Sequence, residues 1–271
     1  MSTSPVRLVL SDVDGTLVSS DKTLTDRSVR AIRMLREAGI FFALASARPA
    51  QGLRRFIAPL QLSTPLSALN GGLGVDEQMN ILYSRPIDEQ TASTIIDELL
   101  TRSMSVWVYA ETEWFVLDEF GPHVQHESKG SDLRPTVLSS FEGIGSGAIK
   151  IVGVSDDVAI SHDACRAVAQ QFGSEINVAP SQAYYLDVTH GDVNKGAVVN
   201  YLSQRYEIPR SQIATIGDMS NDVSMFEQSG LSIAMGNAHA DVQGAATFTT
   251  ASNDEEGFAL AVEKYILSVA S

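Results

Sequence analysis

The chain has 271 residues, 44% of them hydrophobic, which is enough to bury a core in one large domain or two smaller ones. Its 33 acidic and 19 basic residues give a formal net charge of −14, which argues against general affinity for nucleic acid or anionic lipid. The single cysteine, Cys165, cannot form an internal disulfide, and no segment approaches the roughly 18 apolar residues of a membrane span. We therefore expect a cytoplasmic protein, with no protein partner implied.

Short apolar segments alternate with amphipathic ones over the first third of the chain. Strands are predicted at 6–11, 39–46 and 65–70, and helices at 25–38 and from Pro49 onward. This alternation predicts βαβ units and a parallel sheet with right-handed crossovers. Thr25 suits the N-cap of its helix, and Pro49 suits the first helical position. The segment 71–85 has the pattern of a hairpin beside the third strand.

The pattern changes after Pro86, where pairs of alternating strands are separated by two predicted helices. The helices fall at 88–102 and 156–172, and the strands at 105–110, 113–118, 148–154, 175–180 and 183–188. Such a segment is typical of an α+β insert with an antiparallel sheet.

The βα alternation returns from about Lys195. Helices are predicted at 196–206 and 222–229, and strands at 213–218, 231–236 and 247–250. The fold class is therefore α/β, a doubly wound parallel-sheet core with an inserted α+β cap. We place the first part of the core at 1–84, the cap at 85–189 and the second part of the core at 190–271.

Polar side chains follow four of the predicted core strands. They are Asp12 and Asp14, Ser46 and Arg48, Asn70, and Asp218 with Asn221 and Asp222. Ligands of an open parallel sheet bind where the carboxyl ends of the strands meet the loops, so these residues are expected to converge.

The acidic residues of this set predict a magnesium site. Asp12, Asp14 and Asp218, with Asp222 close behind, would repel one another unless a cation lay among them. Carboxylate oxygens without a neighbouring His or Cys are typical of Mg²⁺, which commonly contacts a substrate phosphate. The sequence DVDG does not match an EF-hand, because its glycine is fourth in the run and not sixth.

Two further residues lie at the starts of predicted helices, where phosphate ligands are commonly found. Ser46 lies between a strand and a helix, where a hydroxyl and backbone N–H groups can hold phosphate oxygens. Lys195 lies at the start of another helix, where its ammonium can contact a phosphate or a carboxylate. Taken alone, Ser46 in this position is more often an ordinary N-cap and Lys195 more often a surface residue, so their assignment depends on the other motifs.

Four motifs occur in a fixed order: DVDGTL (12–17), ASAR (45–48), NKG (194–196) and GDMSND (217–222), with a long insert between the second and third. In this order they resemble the haloacid dehalogenase superfamily of phosphohydrolases. The size and position of the insert resemble the Cof-type branch, subfamily IIB, which carries a C2-type cap. The resemblance implies a Rossmann-like core and a Mg²⁺-dependent phosphatase.

The resemblance also implies catalytic roles. Asp12 is expected to be the nucleophile that forms an aspartyl-phosphate, and Asp14 the general acid and base. Mg²⁺ is expected to bind Asp12, the backbone carbonyl of Asp14, and Asp218, with Asp222 binding it directly or through water.

The remaining motif residues are expected to bind the substrate. Ser46 and Lys195 would hold the phosphoryl oxygens, and Asn221 would orient Asp218 or contact the phosphate. Arg48 and Asn70 complete the expected phosphate- and substrate-binding set. The expected partner is a small phosphorylated metabolite, such as a sugar phosphate or a cofactor phosphate, because a cap would exclude nucleic-acid and protein phosphates.

Two other functions remain open at this stage. A phosphomutase of the same superfamily would return the phosphoryl group to another hydroxyl, and a non-catalytic sensor would bind the metabolite without turnover. The motif GIGSGA (143–148) precedes a strand, whereas a dinucleotide-binding turn must follow one, so it does not predict nucleotide binding. Trp107 and Trp114 are expected to pack in the core or in the cap sheet, with substrate contact as the alternative, and the side to which Lys150 points on its strand stays undecided.

Overall fold

The computed structural model describes residues 5–182 and 184–269. The first part of the chain alternates strands and helices and then forms a hairpin. Its elements are β1 (Leu8–Ser11), α1 (Asp26–Glu37), β2 (Phe41–Ala45), α2 (Ala50–Leu60), β3 (Leu66–Ala68), β4 (Leu73–Val75) and β5 (Ile81–Ser84).

The insert forms the second group of elements. They are α3 (Glu89–Thr101), β6 (Ser105–Tyr109), β7 (Trp114–Val116), α4 (Val124–Ser131), β8 (Thr136–Val137), β9 (Lys150–Val154), α5 (Val158–Phe172), β10 (Ile176–Gln182) and β11 (Tyr185–His190). Ala183, the first residue of the last predicted cap strand, lies outside the described residues.

The βα alternation then resumes as predicted. The elements are α6 (Lys195–Tyr206), β12 (Ile213–Gly217), α7 (Val223–Gln228), β13 (Leu231–Ala234), α8 (Ala240–Ala245), β14 (Phe248–Thr249) and α9 (Gly257–Ala261).

The core sheet has the strand order β14-β13-β12-β1-β2-β3-β4-β5. The six strands from β14 to β3 run parallel, and the β4–β5 hairpin joins the edge in antiparallel pairing. Strand β1 alternates its side chains between the two faces: Val9 packs with α1, α2 and α9, and Leu8 and Leu10 pack with α6, α7 and α8. Helices therefore cover both faces, and the predicted doubly wound fold class is confirmed.

The cap sheet has the order β10-β11-β9-β6-β7-β8, and its strands are antiparallel except for the β7–β8 pair. One face packs against α3 and α5 through residues such as Leu99 and Val168. The other face carries Trp107 and Trp114 and packs into the same apolar cluster as the core. The prediction that both tryptophans pack is confirmed.

Two local predictions were wrong. Pro49 has extended backbone angles and is the N-cap of α2, so the first helical residue is Ala50. The cap has a third helix, α4, which the sequence did not indicate because only Val124 and Ser131 of its eight residues are buried. The division of the chain at 84/85 and 189/190 stays a prediction.

Thr25 caps α1 as predicted, since its side chain accepts a hydrogen bond from the backbone N–H of Ser28 at 3.2 Å. Its hydroxyl also lies 2.7 Å from Glu256, near the start of α9. Thr25→Ala is expected to lower the free energy of unfolding by about 1 kcal/mol, whereas Thr25→Ser keeps the hydroxyl and most of the stability. Urea denaturation of both variants tests this; equal stability of Thr25→Ala and wild type would contradict it.

Candidate active site

The strand ends at the centre of the core sheet bring the predicted polar residues together. Strands β12, β1, β2 and β3 are consecutive neighbours and parallel, so their carboxyl ends lie at one edge. Asp12 follows β1 and Asp218 follows β12, and the backbone N–H of Asp12 donates to the carbonyl oxygen of Ile216 at 2.9 Å. This pairing places the DVDGTL and GDMSND motifs side by side.

Lys195 is the positive centre of the site. Its ammonium nitrogen lies 2.6 Å from Asp12 Oδ1 and 2.6 Å from Asp222 Oδ1, and all three side chains are buried. The N-cap Asn194, whose side chain accepts from the N–H of Ala197, begins α6 so that Lys195 is its first helical residue. Burial alone would lower the pKa of Lys195, but the two carboxylates outweigh burial and raise it.

Asp222 is held by three donors. One carboxylate oxygen accepts from Lys195, and the other accepts from the backbone N–H groups of Asp218 and Met219, both at 2.9 Å. Gly217 allows this arrangement, because a Cβ there would lie 2.4 Å from the carboxylate carbon of Asp222. Asp222 thus fixes the loop that carries Asp218.

Asp12, Asp218 and Asp222 offer oxygen atoms that all lie within 4.8 Å of one another. Burial and the neighbouring carboxylates raise the pKa of Asp12 well above its usual range, against the opposing effect of Lys195. Burial and Asp222 raise the pKa of Asp218 to about 6. Three buried carboxylates beside one ammonium leave an excess of negative charge, and an oxygen-only donor set of this kind fits Mg²⁺.

The Asp14 side chain contacts two cations. Arg48 contacts it through two nitrogens, at 2.6 and 2.8 Å, and Lys22 through its ammonium at 2.7 Å. Burial alone would raise the pKa of Asp14, but Arg48 and Lys22 together lower it to about 2. These two ion pairs favour the ionised form of Asp14.

The remaining predicted residues lie around the same sheet edge. Ser46 is buried, and its hydroxyl oxygen accepts from the N–H of Arg48 at 3.2 Å. Asn221 donates to Asn70 Oδ1 at 3.1 Å, which joins the loop after β12 to the loop after β3. Asn70 has a positive φ of 60°, a conformation that Asn adopts more readily than most residues.

Three residues at the site were not predicted. Thr16 donates to Asp218 Oδ1 at 3.0 Å, and Asn237 donates to Asp218 Oδ2 at 3.2 Å and to the Gly15 carbonyl at 2.9 Å. Asn237 follows β13, so the rule that strand ends carry the ligands could have found it. Lys22 lies in the loop before α1, where no sequence pattern indicates its contact with Asp14.

Comparison with known proteins identifies the family of the chain. The family described as haloacid dehalogenase-like hydrolase matches residues 9–262. A 5-amino-6-(5-phospho-D-ribitylamino)uracil phosphatase of Bacillus subtilis, YitU, is 26% identical over 98% of this chain and 99% of the relative.

Two solved structures share the architecture. A haloacid dehalogenase-like hydrolase from Bacteroides thetaiotaomicron superposes with a TM-score of 0.86 at 26% identity, covering 96% of this chain and 99% of that one. A subclass IIB sugar phosphatase superposes with a TM-score of 0.84 at 20% identity, covering 97% and 100%. The likeness of fold therefore includes the cap.

Gly15 is required where the DVDGTL turn passes Asp218. Its φ is +77°, and a Cβ would lie 2.3 Å from Asp218 Oδ2. If Mg²⁺ binds Asp218, added Mg²⁺ should raise the melting temperature of the wild type, and Gly15→Ala is expected to displace this carboxylate and to abolish that rise.

Gly39→Ala is the matched control. Gly39 has a similar φ of +74° but nothing within 4 Å of the added Cβ. Both variants should lose about 1 kcal/mol of stability through the left-handed backbone, and only Gly15→Ala should lose the Mg²⁺ response. A full Mg²⁺ response in Gly15→Ala would contradict the assignment of Asp218 as a metal ligand.

Proposed function

The chain belongs to the haloacid dehalogenase-like hydrolases, and we propose that this phosphatase removes the phosphoryl group of a small metabolite through an aspartyl-phosphate intermediate. The observation that carries the proposal is the buried Asp12, whose Oδ1 contacts Lys195 and whose carboxylate lies with those of Asp218 and Asp222 in a group that could hold one metal ion. A nucleophilic carboxylate needs such neutralisation before it can approach a phosphate dianion.

In the first proposed step a carboxylate oxygen of Asp12 attacks phosphorus, and the ester P–O bond breaks. The leaving oxygen takes a proton from Asp14 and departs as an alcohol. In the second step Asp14 takes a proton from water, the water oxygen attacks phosphorus, and the P–O bond to Asp12 breaks. The products are phosphate and the regenerated Asp12 carboxylate.

Without a substrate, the ion pairs with Arg48 and Lys22 favour the ionised form of Asp14. In the proposed cycle Asp14 enters the first step protonated, and the proton that it gives to the leaving oxygen is restored from water in the second step. The ionised form suits the second step, in which Asp14 accepts a proton. For the first step Asp14 must be released from its cations and protonated. An incoming phosphoryl group supplies competing negative charge for Arg48, which agrees with the expected substrate-binding role of Arg48.

We assign the proposed Mg²⁺ site to Asp12, Asp218 and Asp222, with the backbone carbonyl of Asp14. Mg²⁺ bound there would neutralise charge on the transferring phosphoryl group. Lys195 keeps Asp12 and Asp222 in place through its two ion pairs. Thr16 and Asn237 orient the two oxygens of Asp218.

The phosphoryl oxygens are assigned to Ser46 and Lys195, which approach Asp12 from the end of β2 and the start of α6. Asn221 and Asn70, joined by their hydrogen bond, would also bind the substrate. These roles follow the motif positions, and the placement of all four residues at one sheet edge supports them.

The substrate is proposed to be a small phosphorylated metabolite, a sugar phosphate or a cofactor-related phosphate. The names of a sugar phosphatase and of a ribitylaminouracil phosphatase among the similar proteins support this class. The cap packs against the core and limits the size of a ligand. No helix within the described ranges is long and apolar enough to cross a membrane; a cytoplasmic location and the lack of a protein partner stay predictions.

Asp12→Asn is expected to reduce phosphate release from p-nitrophenyl phosphate by about a thousandfold, since the amide is not a nucleophile. EDTA should abolish the wild-type rate and excess Mg²⁺ should restore it. Asp97→Asn, the same change at an exposed position of α3, is the matched control and should leave the rate unchanged.

Turnover that persists in Asp12→Asn would contradict the nucleophile. Dependence of the wild-type rate on a sugar bisphosphate would identify the phosphomutase alternative. Binding of phosphorylated compounds with no turnover by the wild type would identify the sensor.

A further inference from the structure

Lys22 contacts the proposed general acid and base, although it belongs to none of the four motifs. Its ammonium nitrogen lies 2.7 Å from Asp14 Oδ1. The Lys22 side chain is 52% exposed, so burial does not force this ion pair, in contrast to the ion pairs of the buried Lys195. An exposed ion pair contributes little to stability, and the position of Lys22 therefore calls for another explanation.

The turn that carries Lys22 is closed by its own hydrogen bonds. The N–H of Lys22 donates to the carbonyl oxygen of Ser19 at 2.9 Å, and the N–H of Ser19 donates to the carbonyl oxygen of Thr23 at 3.0 Å. The N–H of Thr23 donates back to the Ser19 hydroxyl oxygen at 3.1 Å. Lys22 has a φ of +65°, which a residue with a long side chain rarely adopts. The turn thus holds the residue with the ammonium group in a strained backbone conformation.

A second set of contacts ties this turn to the C-terminal part of the core. Ser20 donates to Asp254 twice, from its N–H at 2.8 Å and from its hydroxyl at 2.7 Å. Asn253, in the same short helical turn as Asp254, donates to the carbonyl oxygen of Val18 at 3.1 Å. Because the segment is fixed on both sides of Ser19, the backbone of Lys22 is held in place before a substrate arrives.

Arg48 and Lys22 contact the two oxygens of Asp14 differently. Arg48 contacts both, through Nε to Oδ2 at 2.6 Å and through a terminal nitrogen to Oδ1 at 2.8 Å. Lys22 contacts Oδ1 alone. Among the residues that the structure describes, Oδ2 accepts a hydrogen bond from Arg48 only. If Arg48 turns to a phosphoryl group, Oδ2 loses its partner while Oδ1 can keep Lys22.

We propose that Lys22 is a positioning residue for the second step, in which it holds Asp14 by Oδ1 while Oδ2 takes the proton of the attacking water. The inference rests on the proposed aspartyl-phosphate reaction. In that step the water oxygen bonds to phosphorus, the P–O bond to Asp12 breaks with its electron pair returning to the Asp12 carboxylate, and the water proton moves to Asp14 Oδ2. A carboxylate accepts hydrogen bonds at both oxygens, so the contact with Lys22 leaves Oδ2 free.

The charges present in the second step explain why a cation is needed at this position. The first step leaves Asp14 ionised, beside the phosphoryl group that is now on Asp12. Arg48, in its expected role, is then engaged by that phosphoryl group. A base that is free to rotate reacts more slowly than one held in position. Lys22 holds the Asp14 carboxylate through one oxygen, whereas the bidentate contact of Arg48 occupies both.

The test uses Lys22→Met, which removes the ammonium and keeps the length of the side chain. The probe is p-nitrophenyl phosphate, whose leaving group is stable as an anion and needs no proton from Asp14. Formation of the aspartyl-phosphate, measured as the first turnover of p-nitrophenolate release, should therefore stay within about twofold of the wild type. Its decay, measured by acid quench and mass spectrometry after the substrate is exhausted, should slow by about tenfold or more.

The steady-state constants separate positioning from substrate binding. Slower decay lowers kcat and KM together and leaves kcat/KM within about twofold, because kcat/KM reports only the steps up to the first irreversible one. If Lys22 instead binds the substrate, Lys22→Met raises KM and lowers kcat/KM. That result would overturn the positioning role.

Two control variants test the ammonium group itself. Lys22→Arg keeps a cation that can donate to Asp14 Oδ1 and should restore decay to within about threefold of the wild type. Lys264→Met makes the same change at an exposed lysine of the C-terminal segment Val262–Ile266 and should alter neither step. Melting temperatures of the variants establish that each is folded.

A double variant tests whether Lys22 acts through Asp14. In Asp14→Asn the positioned base is absent, so adding Lys22→Met should not slow decay of the aspartyl-phosphate further. A further loss in the double variant would overturn the inference, since Lys22 would then act on the phosphoryl group directly.

Unchanged decay in Lys22→Met, or equal slowing of formation and decay, would also overturn the role of Lys22, while the proposed phosphatase function would stand. Failure of the wild type to release p-nitrophenolate, or turnover without a phosphoryl group on Asp12, would instead overturn the proposed function and the inference with it.

Discussion

The site depends on one buried lysine between two buried carboxylates. Lys195 contacts Asp12 and Asp222 at equal distances of 2.6 Å, and it joins three segments that are far apart in the chain. Removing one partner of such a buried ion pair typically costs about 3 to 5 kcal/mol, because the other charge stays buried and unpaired. The third carboxylate, Asp218, has no ammonium partner within the described ranges. Three carboxylates beside one ammonium leave an excess of negative charge, which favours the binding of a divalent cation.

The core sheet brings the residues of this interaction together. Parallel pairing of β1 with β12 brings Asp12 beside Asp218, and the Asn194 cap begins α6 where Lys195 can reach both acids. The α4 segment of the cap then meets Arg48 at the same edge. The fold therefore places the residues of the proposed reaction at strand ends, at the start of a helix and beside one cap helix.

Much of this arrangement could be predicted from the sequence, because it depends on local patterns. Strand ends followed by Asp, Ser or Asn, and a lysine at a helix start, indicate a ligand site in any open parallel sheet. Lys22 could not be predicted as a partner of Asp14, since that contact depends on how separate loops fold together. The direction of Lys150 depends on strand register, which a short apolar segment does not fix. Helix α4 was missed because its exposed residues lack an apolar period.

The proposed reaction requires a covalent bond between phosphorus and Asp12. The most direct test is rapid acid quench of the enzyme with substrate, followed by mass spectrometry of the peptide that contains residues 12–17. The experiment is best done in Asp14→Asn, because loss of the base slows hydrolysis of the intermediate and lets it accumulate. We predict a phosphoryl group on Asp12, absent when EDTA is present. A phosphoryl group on another residue, or none on this peptide during measured turnover, would contradict the account.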